Sequence, residues 1–443
     1  MVRSTLSGFP ELLPAERLVE LHILDTLRRV FELHGFTSLH TRAVETLGTL
    51  AAKGETSQEV YVLSRLQAEK DAERTPNTLA LHFDLTVPFA RYVTENAGQL
   101  TFPFKRYQIQ PVWRGERPQE GRYREFVQAD IDVVGQETLP FHYEIELPLV
   151  MADALAALNI GEFIIQVNNR KVCQGFYQGL GIEDIAGTLR VLDKLDKIGP
   201  EATEKLLIDD VQLTADQARY ALRLAAISGS DGGEVAEQVR ALGVTNDLLE
   251  EGLAELSAVV DGVSRRHPGR IRAVLKIARG LDYYTGTVYE TLLCGHEDLG
   301  SIGGGGRYDS LAKVGRRTYP GVGLSVGVTR LLSRILQQQQ ASRSVPTAVL
   351  VAVVDEETRN ESNDIADILR ARGIPTDVSP TAAKFGKQIR HADKLGIPYV
   401  WFPGETQQVK DVRSGEQHPA DPHTWNISAC DLTATIEAVG DKP

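Results

Sequence analysis

The chain has 443 residues and carries 48 Lys and Arg against 60 Asp and Glu, a net charge of −12. Its length argues for roughly three domains, and 42% hydrophobic with 24% charged residues is the composition of a soluble globular chain, not a disordered one. The acidic balance excludes a protein that coats nucleic acid nonspecifically, and the longest apolar run, Thr347 to Val354, is far too short to span a bilayer. Met1-Val2-Arg3-Ser4 leads into Phe9-Pro10-Glu11 without an apolar signal segment. Cys173, Cys294 and Cys430 lie too far apart for a CxxC knuckle or a disulfide framework. The expectation is a cytoplasmic, multidomain chain with no metal ligand set and no membrane contact.

In chain order, Ala15 to Leu33 reads as a helix, with Leu18, Leu21, Leu24, Leu27, Val30 and Phe31 at helical spacing and Gly35 as its stop. The period then changes to two. Leu81 to Val87 reads as a strand with His82, Asp84 and Thr86 on its polar face. Lys105 to Val112 puts Arg106, Gln108 and Gln110 on one side, and Val127 to Val133 puts Gln128, Asp130 and Asp132 on one side. These are half-buried strands of an antiparallel sheet. Polar faces rich in Asp, Gln and His suit one wall of a site better than a solvated surface, which favours Thr, Lys and Glu.

Residues 172–262 read as an inserted helical domain, with runs at Ile185–Leu206 and Ala215–Ile227. Strand signals resume from Ala273 to about Ser325. Gln337 to Pro346 reads as a low-complexity linker. Beyond it, strand (Ala348–Val354), helix (Glu357–Arg372), strand (Thr376–Val378), helix (Ala382–Leu395) and strand (Tyr399–Phe402) alternate, as in a small α/β domain with a mainly parallel sheet. Val409–Gln417 suggests a hairpin turning at Ser414-Gly415.

Four stretches carry chemistry. Lys105 to Arg124 holds six basic residues (Lys105, Arg106, Arg114, Arg117, Arg122, Arg124) against Glu116 and Glu120, a trap for a polyanion or a solvated basic hairpin. Ala278 to Gly286 places Arg279, Asp282, Tyr283 and Tyr284 before a β-rich run, suited to a small polar ligand or to an aromatic core. Gly303 to Gly306 is a bare glycine run, most often a turn or bulge, and no Gly-Lys-Ser/Thr follows to make it a phosphate loop. Gly321, Gly323 and Gly327 lie on a strand that runs into a helix whose first turn holds Arg330. These glycines leave one face bare for a flat ring, or belong to a tightly packed strand, which accounts for the glycines but not for Arg330.

These residues resemble a known family. Trp113-Arg114-Gly115-Glu116-Arg117-Pro118 with Gly121-Arg122-Tyr123-Arg124 resembles the second motif of class II aminoacyl-tRNA synthetases, and Gly327 to Leu331 the third. Arg279-Gly-Leu-Asp-Tyr-Tyr284 and Gly305-Gly-Arg-Tyr308-Asp309 resemble the two signatures of the histidyl-tRNA synthetase family. The similarity covers nearly the whole length, and Leu85 to Arg91 is closer in style to the archaeal and eukaryotic branch. The fold implied is α+β, a class II synthetase antiparallel sheet flanked by helices. The domains implied are a catalytic core at 1–171 and 263–336, the helical insertion at 172–262 and a C-terminal α/β anticodon-binding domain at 347–443.

The resemblance also implies roles. Arg114, Glu116, Arg122 and Arg330 would bind ATP, which Mg²⁺ accompanies, with Arg114, Arg279 and Arg330 catalytic. Asp84, Thr86 and Gln128 would take the ammonium of L-histidine, Asp132, Tyr283, Tyr284 and Tyr308 would form the imidazole pocket, and Arg279 would contact the histidine and lie on the α-phosphate across from Arg114. Gln119 would contact tRNA(His), as would Lys384, Lys387, Arg390 and Lys394. Those four basic residues share a helical face about 120° wide. The family acts as a homodimer. Three departures stand out: Arg42 where the family's first motif has proline, His82 where it has arginine, and a shortened segment between Gly404 and Lys410. Two alternatives remain, both related to the family. One is the non-catalytic regulatory subunit of ATP phosphoribosyltransferase, which typically lacks the anticodon domain and the arginines. The other is a paralogue with altered amino-acid specificity.

Overall fold

The computed structural model describes residues 6–51, 59–67, 74–119, 121–278, 280 and 283–439. They form two compact units, one comprising Met1–Pro10 and Leu24–Leu331 and the other Glu11–Ile23 and Leu332–Pro443. No helix among the described residues is long and apolar enough to cross a membrane.

The larger unit is built on a nine-stranded sheet. Its strands lie in the order Thr37–Ser38, Phe104–Trp113, Glu125–Val134, Gly321–Gly327, Gly303–Tyr308, Thr287–Leu293, Phe163–Asn169, Ile271–Val274 and Ser228–Gly229. The two pairs Thr37–Ser38/Phe104–Trp113 and Phe163–Asn169/Ile271–Val274 are parallel, and every other pair is antiparallel. The sheet buries both faces, so even its polar residues are enclosed: Arg106, Gln108, Gln110, Asp130 and Asp132 are all buried. The helix His142–Ala157 is buried along most of its length, with Leu147, Val150, Met151 and Leu155 fully enclosed. Between residues 170 and 264 the elements are helices apart from the strand Ser228–Gly229, and they belong to the same compact unit as the sheet.

The smaller unit has a five-stranded sheet ordered Thr376–Val378, Val349–Val351, Tyr399–Phe402, Gln408–Asp411, Gln417–Pro419. The first three strands are parallel and the last two antiparallel. Helices Arg359–Ala371 and Phe385–Leu395 follow the strand–helix alternation. Val349, Val351, Ile365, Leu369 and Trp401 form one core layer, and Leu350, Ala392, Ile397 and Val400 another. The hairpin turns as expected, with Gly415 at φ 79.

Several sequence expectations need correction. The first helix runs Pro14–Leu33, yet its buried stripe is Val19, Ile23, Leu27, Val30 and Phe31, while Leu21 is exposed. Two apolar sets fit the same period on this helix, and periodicity alone does not choose between them. Leu81–Val87 is not a strand. The strand is Leu79–Leu81, and a helix begins at Thr86 with Asp84 Oδ1 accepting from Val87 N–H at 3.1 Å. A capping carboxylate and Pro88, harmless in a first turn, are helix-start signals that outweigh a short alternating run. Gly303–Tyr308 is a central strand, not a turn. The linker holds a strand, Gln339–Ala341, paired with Ile436–Ala438, and a buried Arg343 that donates to the Asp431 carbonyl at 2.9 Å.

Candidate active site

Strand register assembles the site. Opposite residues in an antiparallel pair project from the same face. Phe104–Trp113, Glu125–Val134 and Gly321–Gly327 therefore place three rows side by side: Arg106, Asp132 and Gly323; Gln108, Asp130 and Ser325; Gln110, Gln128 and Gly327. Gln128, Asp130, Asp132, Gly323, Ser325 and Gly327 of these rows line a cleft of ≈ 390 Å³, with Arg106, Gln108 and Gln110 buried beside them.

One end of the cleft is cationic. Arg114 enters from the end of its strand, donates Nε to the Phe83 carbonyl at 2.9 Å, and lies 5.1 Å from the Phe126 ring centroid. Arg330, in the first turn of Val328–Gln338, donates Nε to the Gly121 carbonyl at 2.8 Å and Nη1 to the Ser301 carbonyl. Gly121 sits at φ 69, where an L side chain is strained, so this tight turn favours glycine. Arg122 and Glu116 also line the cleft, their charged ends 3.8 Å apart. An arginine anchored along one edge, as Arg114 is, presents its other edge to an anion, the arrangement that binds phosphate oxygens.

The other end is acidic. Asp84, Thr86 and Gln128 line it, together with Asp132, Tyr283 and Tyr284. Gln128 donates Nε2 to Ser325 Oγ at 2.6 Å, and Arg114 Nη2 approaches its Oε1 at 3.5 Å. Asp132 pairs with buried Arg106 (Nη2 to Oδ2, 2.7 Å) and accepts the Tyr308 hydroxyl at 2.6 Å. Burial pushes the Tyr308 phenol up, and the neighbouring Asp132 charge pushes it further, so it stays a donor. Tyr283 and Tyr284 rings lie 4.0 Å apart.

The bare strand face proves to be filled from within. A side chain at Gly323 would collide with the Asp132 carboxylate, and one at Gly321 with the Tyr308 ring. Only Gly327 would meet no close neighbour, its Cβ lying 3.6 Å from Arg330 Cβ. Gly321 and Gly323 thus make room for pocket side chains rather than for a ligand ring.

Every described residue expected to bind ATP or histidine lines this cleft. Arg279, with Leu281 and Asp282, lies outside the described residues. Gln119 does not line it but pairs with Arg122 through the backbone. The basic stretch is less of a trap than expected. Lys105 is taken by Glu146 at 2.5 Å and Arg106 is fully buried against Asp132, leaving Arg114 and Arg122 for the cleft. His82 does not share the cleft. Buried, it donates Nε2 to the Pro111 carbonyl at 2.8 Å and stacks on Trp113, and burial lowers its pKa. Arg42 pairs with the buried Glu45 at 2.9 Å.

Sequence reasoning assigned no role to Asp130, Phe126, Ser301 or Ser325. Asp130 was visible in the alternation between Gln128 and Asp132, and Ser325 in the period-two glycine series. Phe126 and Ser301 offered no local signal. In the smaller unit, Lys384, Lys387, Arg390 and Lys394 are all exposed, along Phe385–Leu395 and at its N-cap.

The chain resembles known proteins over most of its length. Residues 8–331 match the family model described as histidyl-tRNA synthetase, and residues 348–422 the model described as anticodon binding domain. The chain is similar to the histidine–tRNA ligase of Micrococcus luteus, 59% identical over 456 residues and covering 99% of each chain. The histidine–tRNA ligase of Cutibacterium acnes is 56% identical, covering 96% of this chain and 97% of the other. Among solved structures, histidyl-tRNA synthetase from Nostoc sp. PCC 7120 superposes with a TM-score of 0.81 at 37% identity, covering 95% of this chain and 97% of that one.

Proposed function

We propose, from the premise that the chain belongs to the histidyl-tRNA synthetase family, that it activates L-histidine with ATP and transfers it to the 3′ end of tRNA(His). The observation that carries this reading is one cleft lined both by arginines and by buried carboxylates. A polyphosphate and an amino acid need those two kinds of group side by side.

In the first step the histidine carboxylate attacks the α-phosphorus of ATP and expels pyrophosphate. Arg114, Arg122 and Arg330 hold the phosphates, Glu116 takes the adenine amino group, and Asp84, Thr86 and Gln128 hold the ammonium. Asp132, Tyr283, Tyr284 and Tyr308 enclose the imidazole. In the second step the terminal tRNA hydroxyl attacks the carbonyl of the adenylate and AMP leaves. No protein nucleophile is required, so the work is positioning and stabilisation of charge at phosphorus. Arg279 belongs to this set by its motif. No group of three or more His, Cys, Asp or Glu among the described residues could hold a metal ion alone. Mg²⁺ would accompany ATP and neutralise charge on its phosphates, an ion that keeps several waters and needs few protein ligands.

The regulatory-subunit alternative is not favoured, because the anticodon-domain match and the 59% identity to a histidine–tRNA ligase both run against it. The altered-specificity alternative rested on His82, which lies outside the cleft lining. Charging of tRNA(His) with labelled histidine tests the transfer step. Product should form with intact tRNA and not with tRNA whose 3′ end has been oxidised by periodate. The same reading carries a homodimer, a cytoplasmic location and the domain limits 1–171, 172–262, 263–336 and 347–443, on the family resemblance alone.

The exposed basic face of Phe385–Leu395 suits phosphate contact with the anticodon stem. Changing Lys384, Lys387, Arg390 and Lys394 together to alanine should weaken tRNA binding and flatten its salt dependence, each lost phosphate contact lowering the log–log slope by about 0.7–0.9. Histidine adenylation should not change. An unaltered salt slope would show that the face is idle.

A further inference from the structure

Asp130 lies in the floor of the cleft, between the ammonium residue Gln128 and the imidazole residue Asp132, and is 3% exposed. Its Oδ1 has no hydrogen-bond partner. Directly opposite it in register stands Gln108, whose Oε1 is also buried and also lacks a donor. The Gln108 amide is committed the other way, donating Nε2 to Thr41 Oγ1 at 2.8 Å and to Gln110 Oε1 at 2.5 Å. Two buried acceptors without a donor side by side are costly. A single proton on Asp130 satisfies both.

Charge counting points the same way. The buried cation in these rows is Arg106, and Asp132 already neutralises it at 2.7 Å. Asp84 adds a further carboxylate, Tyr283 faces the group without a charge, and Arg114 lies toward the phosphate end. An ionised Asp130 is therefore uncompensated until another cation arrives. Burial, opposed by Arg106 and reinforced by Asp132, pushes its carboxyl up to about 7. The Ser325 hydroxyl links it to the ligand end: Ser325 donates to Asp130 and accepts from Gln128 Nε2 at 2.6 Å.

Resting on the histidine-binding reading above, we propose that Asp130 is a proton-linked positioning residue. In the free protein it is a carboxylic acid donating to Gln108. When the amino-acid ammonium settles at Asp84 and Gln128, the acid ionises, its proton leaves to solvent and the carboxylate turns to the unbonded N–H groups of Arg106. The ammonium supplies the missing cation, and the new negative charge holds it. A ligand without an ammonium would not trigger the change.

The test is calorimetric titration of L-histidine into the full chain in phosphate and in Tris, which differ in ionisation enthalpy. Wild type is compared with Asp130→Asn, whose amide mimics the protonated acid and can still donate to Gln108. Histidine's own imidazole titrates equally in both experiments and cancels. Wild type should release about half a proton more than the variant at pH 7 and close to one more at pH 6. The variant should bind histidine about 10-fold more weakly at pH 8, as loss of a charged partner implies.

Stability should move the opposite way. The folded-state pKa of Asp130 lies above the unfolded value of 3.8, so its contribution is fully present below 3.8 and is lost as pH rises through about 7. Asp130→Asn should therefore raise the melting temperature more at pH 8 than at pH 5. A group that merely held the fold would lower stability and affinity together. A second readout needs no variant: a protonated-carboxyl band in the infrared should bleach when histidine is added to wild type. Equal proton counts in the two proteins, or no bleached band, would overturn the assignment while leaving histidine binding intact. Absence of any histidine heat in wild type would overturn the functional reading, and this one with it.

Discussion

Arg114→Ala should lower single-turnover histidine adenylation by about 10²–10³-fold, the usual cost of losing one preorganised donor at a developing charge. Preorganisation is the reason for so large an effect. The guanidinium is already fixed by the Phe83 carbonyl at 2.9 Å and by the Phe126 ring beneath it. It loses little freedom when phosphate arrives. Arg114→Lys should recover little, because lysine supplies charge without the planar fork. The melting temperature should change only slightly, since the side chain is half-buried and its bond to Phe83 is replaceable by water. A folded alanine variant that adenylates at nearly the wild-type rate would remove Arg114 from the catalytic machinery.

Asp132→Ala should be the most damaging single change to the fold. Arg106 is fully buried, and its charge is balanced by Asp132 at 2.7 Å. Removing one member of a buried pair leaves the other uncompensated, which costs about 3–5 kcal/mol. Tyr308 also loses the acceptor for its hydroxyl. Replacing both partners by apolar residues of similar size, as in Arg106→Met with Asp132→Leu, should restore most of the stability. It should not restore histidine binding, because the imidazole partner is still missing. Chemical denaturation and calorimetric titration of the three proteins separate the two effects. Wild-type stability of Asp132→Ala would mean that Arg106 has other compensation.

The contrast between these residues shows what the sequence could and could not reveal. Gln128, Asp130 and Asp132 were legible because a strand alternates its faces, and the structure keeps all three on one side. The matching face Arg106, Gln108 and Gln110 was legible for the same reason, but its meaning was not. Arg106 was counted toward a polyanion site, whereas register places it opposite Asp132 in the core. Local pattern carries direction and not distance across strands, and pairing partners far apart in sequence are invisible to it. The same limit explains the glycines. Gly321 and Gly323 were read as room for a ligand ring, yet the space belongs to Tyr308 and Asp132, from strands elsewhere in the chain. Asp84 was assigned to the site through a strand that does not exist. It reaches the cleft from the start of a helix instead. In the smaller unit the strand–helix alternation was readable element by element, though not to the residue, because each element is short and bounded by polar turns. The strand Gln339–Ala341 was hidden by its low-complexity composition and by a partner about a hundred residues later.

The central claim is that the acidic end of the cleft selects histidine and the cationic end activates it. A site of paired hydrogen bonds rejects analogues that lack them by large factors, because buried Asp132 and Tyr308 would be left unmatched. The direct measurement is ATP–pyrophosphate exchange by the full chain with each of the twenty amino acids in turn. Histidine alone should stimulate exchange. Equal stimulation by any other amino acid, or none by histidine, would contradict the account.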